Sequence, residues 1–228
     1  MQKVLRKRIV RDLKANFVRY LALGAMIVLC MYIIISLIGT ADTIIIGSEN
    51  SARRNQLEDG QFSVFAPLTK EEKEKLTDAG ITLEEQFYLD YETEDESTVR
   101  VFKDRRRMNL VELSEGRRAE RNWEIVLERR YAEEHAFRTG DSIKIGGKDY
   151  EIVGIGCSPD YEATFKGFSD SSVNSLQFGT AFVSEDAYEE LLVEGKSVKA
   201  EECVYAYRLN GKLTNKELKD KLNELKVN

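Results

Sequence analysis

The sequence predicts an α+β fold: one N-terminal transmembrane helix, then an extracytoplasmic domain combining a ferredoxin-like βαββ…βα subdomain with an inserted small β-rich subdomain. Three observations predict it. The run from Tyr20 to Ala41, YLALGAMIVLCMYIIISLIGTA, holds 22 residues without a charge. Seven cations against the single acid Asp12 give the first twenty residues +6, so a chain of net charge −6 carries −12 beyond them. After the apolar run, short β-rich and helical patterns alternate, and the pattern that opens the series returns only near the end.

The arm, residues 1–19, carries Lys3, Arg6, Lys7, Arg8, Arg11, Lys14 and Arg19. Leu5, Ile9, Leu13 and Phe17 recur at spacing four with the charges largely on other faces, which describes an amphipathic helix lying on lipid. The same charges alone also serve as a topology signal. The transmembrane helix is assigned to residues 20–41. At about 1.5 Å per residue it spans roughly 33 Å, enough for a hydrocarbon core of about 30 Å. Ile33, Ile34, Ile35, Leu37 and Ile38 leave it no polar face, and a charge at its centre, Ile34 or Ile35, would oppose insertion. Gly24 is a small residue at which a neighbouring helix can approach closely. The apolar run exceeds a signal-peptide core and no small-x-small cleavage site follows it, so it reads as an uncleaved anchor. Positive residues before it place the N-terminus in the cytoplasm and the main domain outside.

Residues 42–60 form a connector that can continue as helix, since no proline interrupts it. The porter-like αβ subdomain is assigned to 61–104 and 201–228. Gln61–Ala66 reads as a strand ending at Pro67, and Thr69 with Glu72 forms a capping box for a helix running to about Ala79. Leu83–Tyr91 and Thr98–Lys103 read as strands paired around the acidic turn ETEDES. Glu202–Leu209 is a further strand, and Thr214 with Glu217 a second capping box before a Leu-lined helix. A ferredoxin-like unit wants one more strand after that helix, so the expectation is a fragment with its last strand missing.

The inserted β-rich subdomain is assigned to 105–200. Trp123–Leu127 reads as a strand and Glu128–Phe137 as a short helix. Ser142–Ile145 and Asp149–Ile155 form a hairpin whose Gly146-Gly147 turn supplies positive φ angles. Ser158–Gln177 is a loop rich in Ser, Gly and Asp. Phe178–Val183 is a strand, and Ser184 caps a helix through Leu192.

The chemistry-bearing motifs are missing. There is no GxxxxGK[ST] loop, and the one histidine, His135, rules out multi-histidine metal sites and is expected to face solvent. A Ser-His-Asp arrangement would have to use His135. The acidic stretches Glu92–Glu96 and Asp160–Glu162 lack the alternating ligand spacing of a calcium loop. The run KDRRR, Lys103–Arg107, is expected to be solvated, and the acidic body offers nucleic acid no basic stripe. We therefore expect no catalytic residue, no cofactor and no metal. Cys157 and Cys203 are the two cysteines outside the membrane segment, available for a disulfide though their spacing suits no metal motif.

Four stretches resemble FtsX-like ABC transporter permeases with a MacB-like extracytoplasmic core domain: RDLKANFVRYLALGAMI (11–27), NLVELSEGRRAERNWEIVLERR (109–130), GDSIKIGGKDYEIVGI (140–155) and GTAFVSEDAYEEL (179–191). Ala119 stands where that family often has a proline nearby. The resemblance implies a bacterial permease subunit in the cell membrane that dimerises with itself or another permease. It also implies docking onto a separate cytoplasmic ATPase, motion passed to the outer domain, and a protein or peptide partner outside. A permease of this type needs at least three further transmembrane helices, so the chain reads as a fragment of one. The rival reading is a single-pass anchored binding or sensor domain.

Overall fold

A computed structural model describes residues 11, 14–161, 164–166, 172–211 and 213–224. Helix α1 (Phe17–Arg54) is 38 residues long and contains the whole apolar run, with none of its residues buried. By length and composition it can cross a membrane. The hydroxyls of Thr40 and Thr43 donate to the carbonyls of Ser36 and Gly39 at 2.8 Å, so these polar side chains are satisfied on the helix itself. The connector expected over 42–60 is helical as far as Arg54. Leu57 N–H then closes on Ala52 O, and Gln56 at φ 51° turns the chain out of the helix.

The remaining elements follow in chain order: β1 (Gly60–Val64), α2 (Lys70–Asp78), β2 (Thr82–Glu85), β3 (Tyr88–Glu92), β4 (Thr98–Lys103), β5 (Glu112–Gly116), β6 (Glu124–Glu128) and α3 (Arg129–Glu134). After these come β7 (Ser142–Ile145), β8 (Lys148–Cys157), a 3-10 turn (Pro159–Tyr161), β9 (Phe178–Val183), α4 (Glu185–Glu194), β10 (Cys203–Arg208) and α5 (Asn215–Glu224). Residues 52–224 contain two sheets.

The smaller sheet has three antiparallel strands in the order β1-β10-β2. Leu76 of α2 and Leu218 of α5 cover one face of it, packed with Leu68, Ile81, Tyr205 and Tyr207. Both capping boxes form: Thr69 and Glu72 cap α2 reciprocally, and Thr214 exchanges the same bonds with Glu217 at α5. The larger sheet has seven strands, β3-β4-β9-β6-β8-β5 with β7 on β8, and mixes parallel pairs (β4 with β9, β6 with β8) with antiparallel ones. Its main core gathers Val99, Val101, Ile125, Leu127, Ile152, Ala181 and Val183 under Tyr131 and Leu191. Gly179 has no room for a side chain: a Cβ there would stand 2.4 Å from the Tyr131 ring.

Three expectations of the fold need correction, and one strand was not expected. The strand expected over Leu83–Tyr91 is two strands in different sheets, broken at Gln86–Phe87; the Phe87 ring packs against the cores of both. The β3–β4 hairpin forms around the acidic turn, but β4 pairs in parallel with β9, so both strands belong with the inserted segment. What stays with β10 and α5 is β1, α2 and β2 alone, because Val99 and Val101 find their apolar partners in β6 and β9. Strand β5 was not foreseen: ELSEG is polar and sits at a sheet edge with a bulge between Leu113 and Glu115, so it shows no apolar alternation. No disulfide joins Cys157 and Cys203: Cys203 is buried in the smaller sheet, while the Cys157 thiol ends β8 of the larger one and faces the carbonyls of Ser158 and Tyr161.

Candidate functional site

The segment that leaves α1, residues 52–59, is fastened to the body by main-chain and side-chain hydrogen bonds. Asn109 N–H donates to Gln56 O (3.1 Å) and Leu110 N–H to Asn55 O (2.9 Å). The Asn109 side chain works both ways, accepting from Glu58 N–H at 3.1 Å and donating to Glu58 Oε2 at 2.8 Å. It holds that position with φ 50°, a left-handed conformation that Asn tolerates better than most residues. On the other flank, Asp59 N–H donates to Tyr207 O (2.9 Å), Leu209 N–H to Asp59 Oδ2 (2.8 Å) and Arg208 Nη2 to Leu57 O (2.9 Å). Asn55 Nδ2 adds a bond to Glu112 of β5 at 2.9 Å. The connector is thus tied to both sheets, to β10 of the smaller and to β5 and the loop before it in the larger.

Beneath this connector lies a buried polar cluster. Arg105, with a fully buried side chain, donates from Nη1 to Ser158 Oγ (2.8 Å) and Asp160 Oδ1 (2.6 Å), and its guanidinium lies over Phe102 and Phe182 at 4.7 and 5.4 Å. Its Nε and Nη2 have no hydrogen-bond partner among the described residues; the two rings take their place. Ser158 Oγ also contacts the Asp160 carboxylate and donates to Asn109 O. Glu58 accepts at Oε2 from Gln86 Nε2 (3.1 Å) as well as from Asn109. Burial pushes its carboxyl up to about 7, the Asp160 charge adds to that, and the bonds from Asn109 and Gln86 and the Arg105 charge only partly offset it.

Two clefts lie between the sheets. One, of about 720 Å³, runs from Gln61 and Ser63 of β1 to Tyr88, Arg100, Phe102 and Tyr161. In its floor Arg100 forms a two-pronged ion pair with Asp90 (2.8 and 3.0 Å), stacks on Tyr88 at 4.0 Å and donates to the Tyr161 hydroxyl at 3.2 Å. The other, of about 670 Å³, has walls of paired charges, including Lys103 with Glu85 and Glu185, and Arg118 with Asp104.

The sequence-assigned residues fall as follows. Tyr20, Gly24, Ile34, Ile35 and Ala41 are exposed on α1, and nothing lies within 4 Å of a Cβ built at Gly24. Arg11, Lys14 and Arg19 are exposed; Lys3, Arg6, Lys7, Arg8 and the amphipathic pattern from Leu5 to Leu13 lie outside the described residues. The KDRRR run is only partly solvated, since Arg105 at its centre is buried and Lys103 is paired. His135 does not face solvent: its side chain is 12% exposed, its ring lies 4.1 Å from that of Tyr131, and Nδ1 sits 2.8 Å from Asp95 Oδ2. It caps the short helix α3, whose packing folds it under the acidic turn. Asp95 is further engaged by Thr93 and Ser97, and Asp160 by Arg105, while Glu162 lies outside the described residues. Among the described residues no group of three His, Cys, Asp or Glu is placed to hold a metal. Glu58 and Asn109 were not singled out from sequence, and Arg105 and Asp160 entered only within the KDRRR run and the stretch Asp160–Glu162; nothing in their spacing brings together positions 58, 109 and 160.

No protein-family model matches the chain, and no curated protein matches it. Among solved structures it is similar to the extracellular domain of a noncanonic ABC-type transporter, YknZ, from Gram-positive bacteria. That likeness has a TM-score of 0.41 and 10% identity, and covers 74% of this chain and 96% of the other.

Proposed function

We propose that this chain is a membrane-anchored permease component of an ABC transporter of the FtsX-like, MacB-like kind. In this reading α1 crosses the membrane with its basic N-terminal arm in the cytoplasm, and the body stands outside. A separate cytoplasmic ATPase supplies the motion, and a second permease copy or homologue completes the membrane unit. The observation that carries the reading is the unbroken helix from Phe17 to Arg54, whose apolar part is long enough to span a bilayer and whose exit segment is tied by hydrogen bonds to both sheets of the body. A connector held to the body by hydrogen bonds passes displacement onward, whereas a flexible linker would absorb it. The order of the four resembling sequence stretches supports the same assignment.

Single-cysteine labelling of the full chain in intact cells tests the topology. Ser63→Cys is expected to react with a membrane-impermeant maleimide from outside, and Lys3→Cys only after permeabilisation. The reverse pattern would remove the proposal. The coupling is tested by Asn109→Gly, which keeps the left-handed backbone and deletes the side-chain bonds to the connector. With the ATPase co-reconstituted, it is expected to reduce the ATPase stimulation given by the chain while leaving topology unchanged. A chain that recruits no ATPase, yet still folds outside the membrane, would instead be the anchored binding domain to which the aromatic cleft is suited.

A further inference from the structure

Sheet edges expose unpaired backbone N–H and C=O groups, and folded proteins normally guard them with charges, bulges or very short strands. Four edges here obey that rule. β2 (TLEE) ends in two glutamates, β3 (YLDYE) carries two acids and bridges to Glu202, β5 (ELSEG) has two glutamates and a bulge, and β7 is four residues long with Lys144. β1 does not. It is the outer strand of the smaller sheet, its register with β10 is unbroken, and the eight residues GQFSVFAP from Gly60 to Pro67 have no charge in a chain that is 32% charged. Immediately beyond it Phe65 is 96% exposed.

The same strand forms a wall of the 720 Å³ cleft. Phe62 and Val64 pack on the apolar cluster of the smaller sheet, while Gln61 and Ser63 line the cleft. In the cleft Arg100 is neutralised by Asp90, and Asp160 by Arg105. Asp90 also pairs with Lys199 Nζ at 3.4 Å, so one carboxylate serves two cations, and with Lys166 standing against Glu202 the cluster keeps one net positive charge around the rings of Tyr88, Phe102 and Tyr161. The cleft is therefore locally cationic on a body that is otherwise strongly acidic.

We propose that β1 is a docking edge for an extended segment of a partner protein, which adds a fourth strand to the smaller sheet. Strand geometry then sets the chemistry of that segment. Alternate side chains fall beside Phe62 and Val64 and are apolar. Those between fall beside Gln61 and Ser63, enter the cleft, and are long carboxylates whose stems lie on the rings and whose charges meet Lys166 and Lys199. The inference does not depend on the transporter reading.

The test uses the full chain in detergent and labelled decapeptides, read by fluorescence anisotropy. A peptide alternating Glu with Val is expected to bind about tenfold more tightly than one alternating Lys with Val. Methylating alternate backbone nitrogens of the Glu/Val peptide, which removes donors without touching side chains, is expected to weaken it by about tenfold or more. The double variant Lys166→Gln, Lys199→Gln is expected to lose affinity for the Glu/Val peptide alone, with unchanged circular dichroism; if it misfolds, the peptide comparison still decides. Equal binding of the methylated peptide, equal binding of the Lys/Val peptide, or no binding of either would overturn the proposal. So would a concentration-dependent dimer, dissolved by Ser63→Lys, whose monomer binds no peptide, since the edge would then belong to a second copy.

Discussion

Two regions of the body are each organised around a carboxylate largely removed from water, and they treat it in opposite ways. At the start of β6, Glu124 is 1% exposed and accepts from both outer nitrogens of Arg117 (2.6 and 2.7 Å) and from the N–H groups of Glu120 and Arg121 in the loop before it. Those bonds hold its carboxyl down at about 2, well below the usual range. At the connector, the Glu58 carboxylate accepts, among the described residues, from two neutral amides, and burial together with the charge of Asp160 pushes it up to about 7. The first site is a finished clamp that folds one way at any physiological pH. The second leaves one cation, Arg105, to serve two acids, so the point where α1 hands over to the body is the place where charge is least settled.

The largest effect is expected where that shared cation is removed. Arg105→Met keeps the contact with Phe102 and Phe182 but leaves Asp160 buried without its partner, and we expect a loss of about 3–5 kcal/mol in urea unfolding of the full chain in detergent. A loss below about 1 kcal/mol would mean that water already compensates Asp160, and the contrast between the two regions would disappear. Next comes the clamp itself. Glu124→Gln keeps the shape but removes the charge that Arg117 and two N–H groups address, with an expected loss of about 2 kcal/mol at pH 7, reduced from the buried-pair value because Arg117 is half exposed. Because the folded carboxyl lies below its unfolded value, this stabilisation is complete above about pH 4.5 and fades as pH falls towards 2. The variant and the parent should therefore converge in acid, and a difference unchanged at pH 2 would show that Glu124 acts through packing instead.

The clamp was closer to legible in sequence than the junction was. Among the described residues, the groups that donate to the Glu124 carboxylate lie within seven residues of it, inside the stretch GRRAERNWE. The capping boxes at Thr69 and Thr214 and the Gly146-Gly147 turn were readable for the same reason: each is fixed by neighbours along the chain. The junction joins residues 55–59 to 86, 105–109, 158–160 and 207–209, and no local rule reports that they meet. Arg105 shows the difficulty most clearly. In the run KDRRR it looks the same as the exposed Arg106 and Arg107, and the rings of Phe102 and Phe182 together with Ser158 and Asp160, three of these four far along the chain, make it a core residue. The division between sheets failed for a related reason, because the alternation in β4 says that it is a strand but not which sheet will take it.

The smallest expected effect is the most informative about the connector. Glu58→Gln keeps a carbonyl oxygen for Asn109 and Gln86 while removing the charge that burial and Asp160 oppose. A carboxyl raised in the folded state favours folding when protonated, so its contribution is full below about pH 4.5 and is lost as pH rises through 7. The parent should then weaken between pH 5 and pH 8 by about 1–2 kcal/mol more than the variant, after allowance for solvent on the open side of Glu58. The two proteins should be equally stable at pH 5, with the variant the more stable at pH 8. If the parent is instead the more stable at pH 8, the ionised Glu58 is held by Arg105 as firmly as Glu124 is by Arg117, and the junction is a second finished clamp rather than a poised one. Amide exchange of Asn109 and Leu110, whose N–H groups hold the connector, separates a local effect from a global one: faster exchange at pH 8 confined to these two would place the weakening at the connector itself.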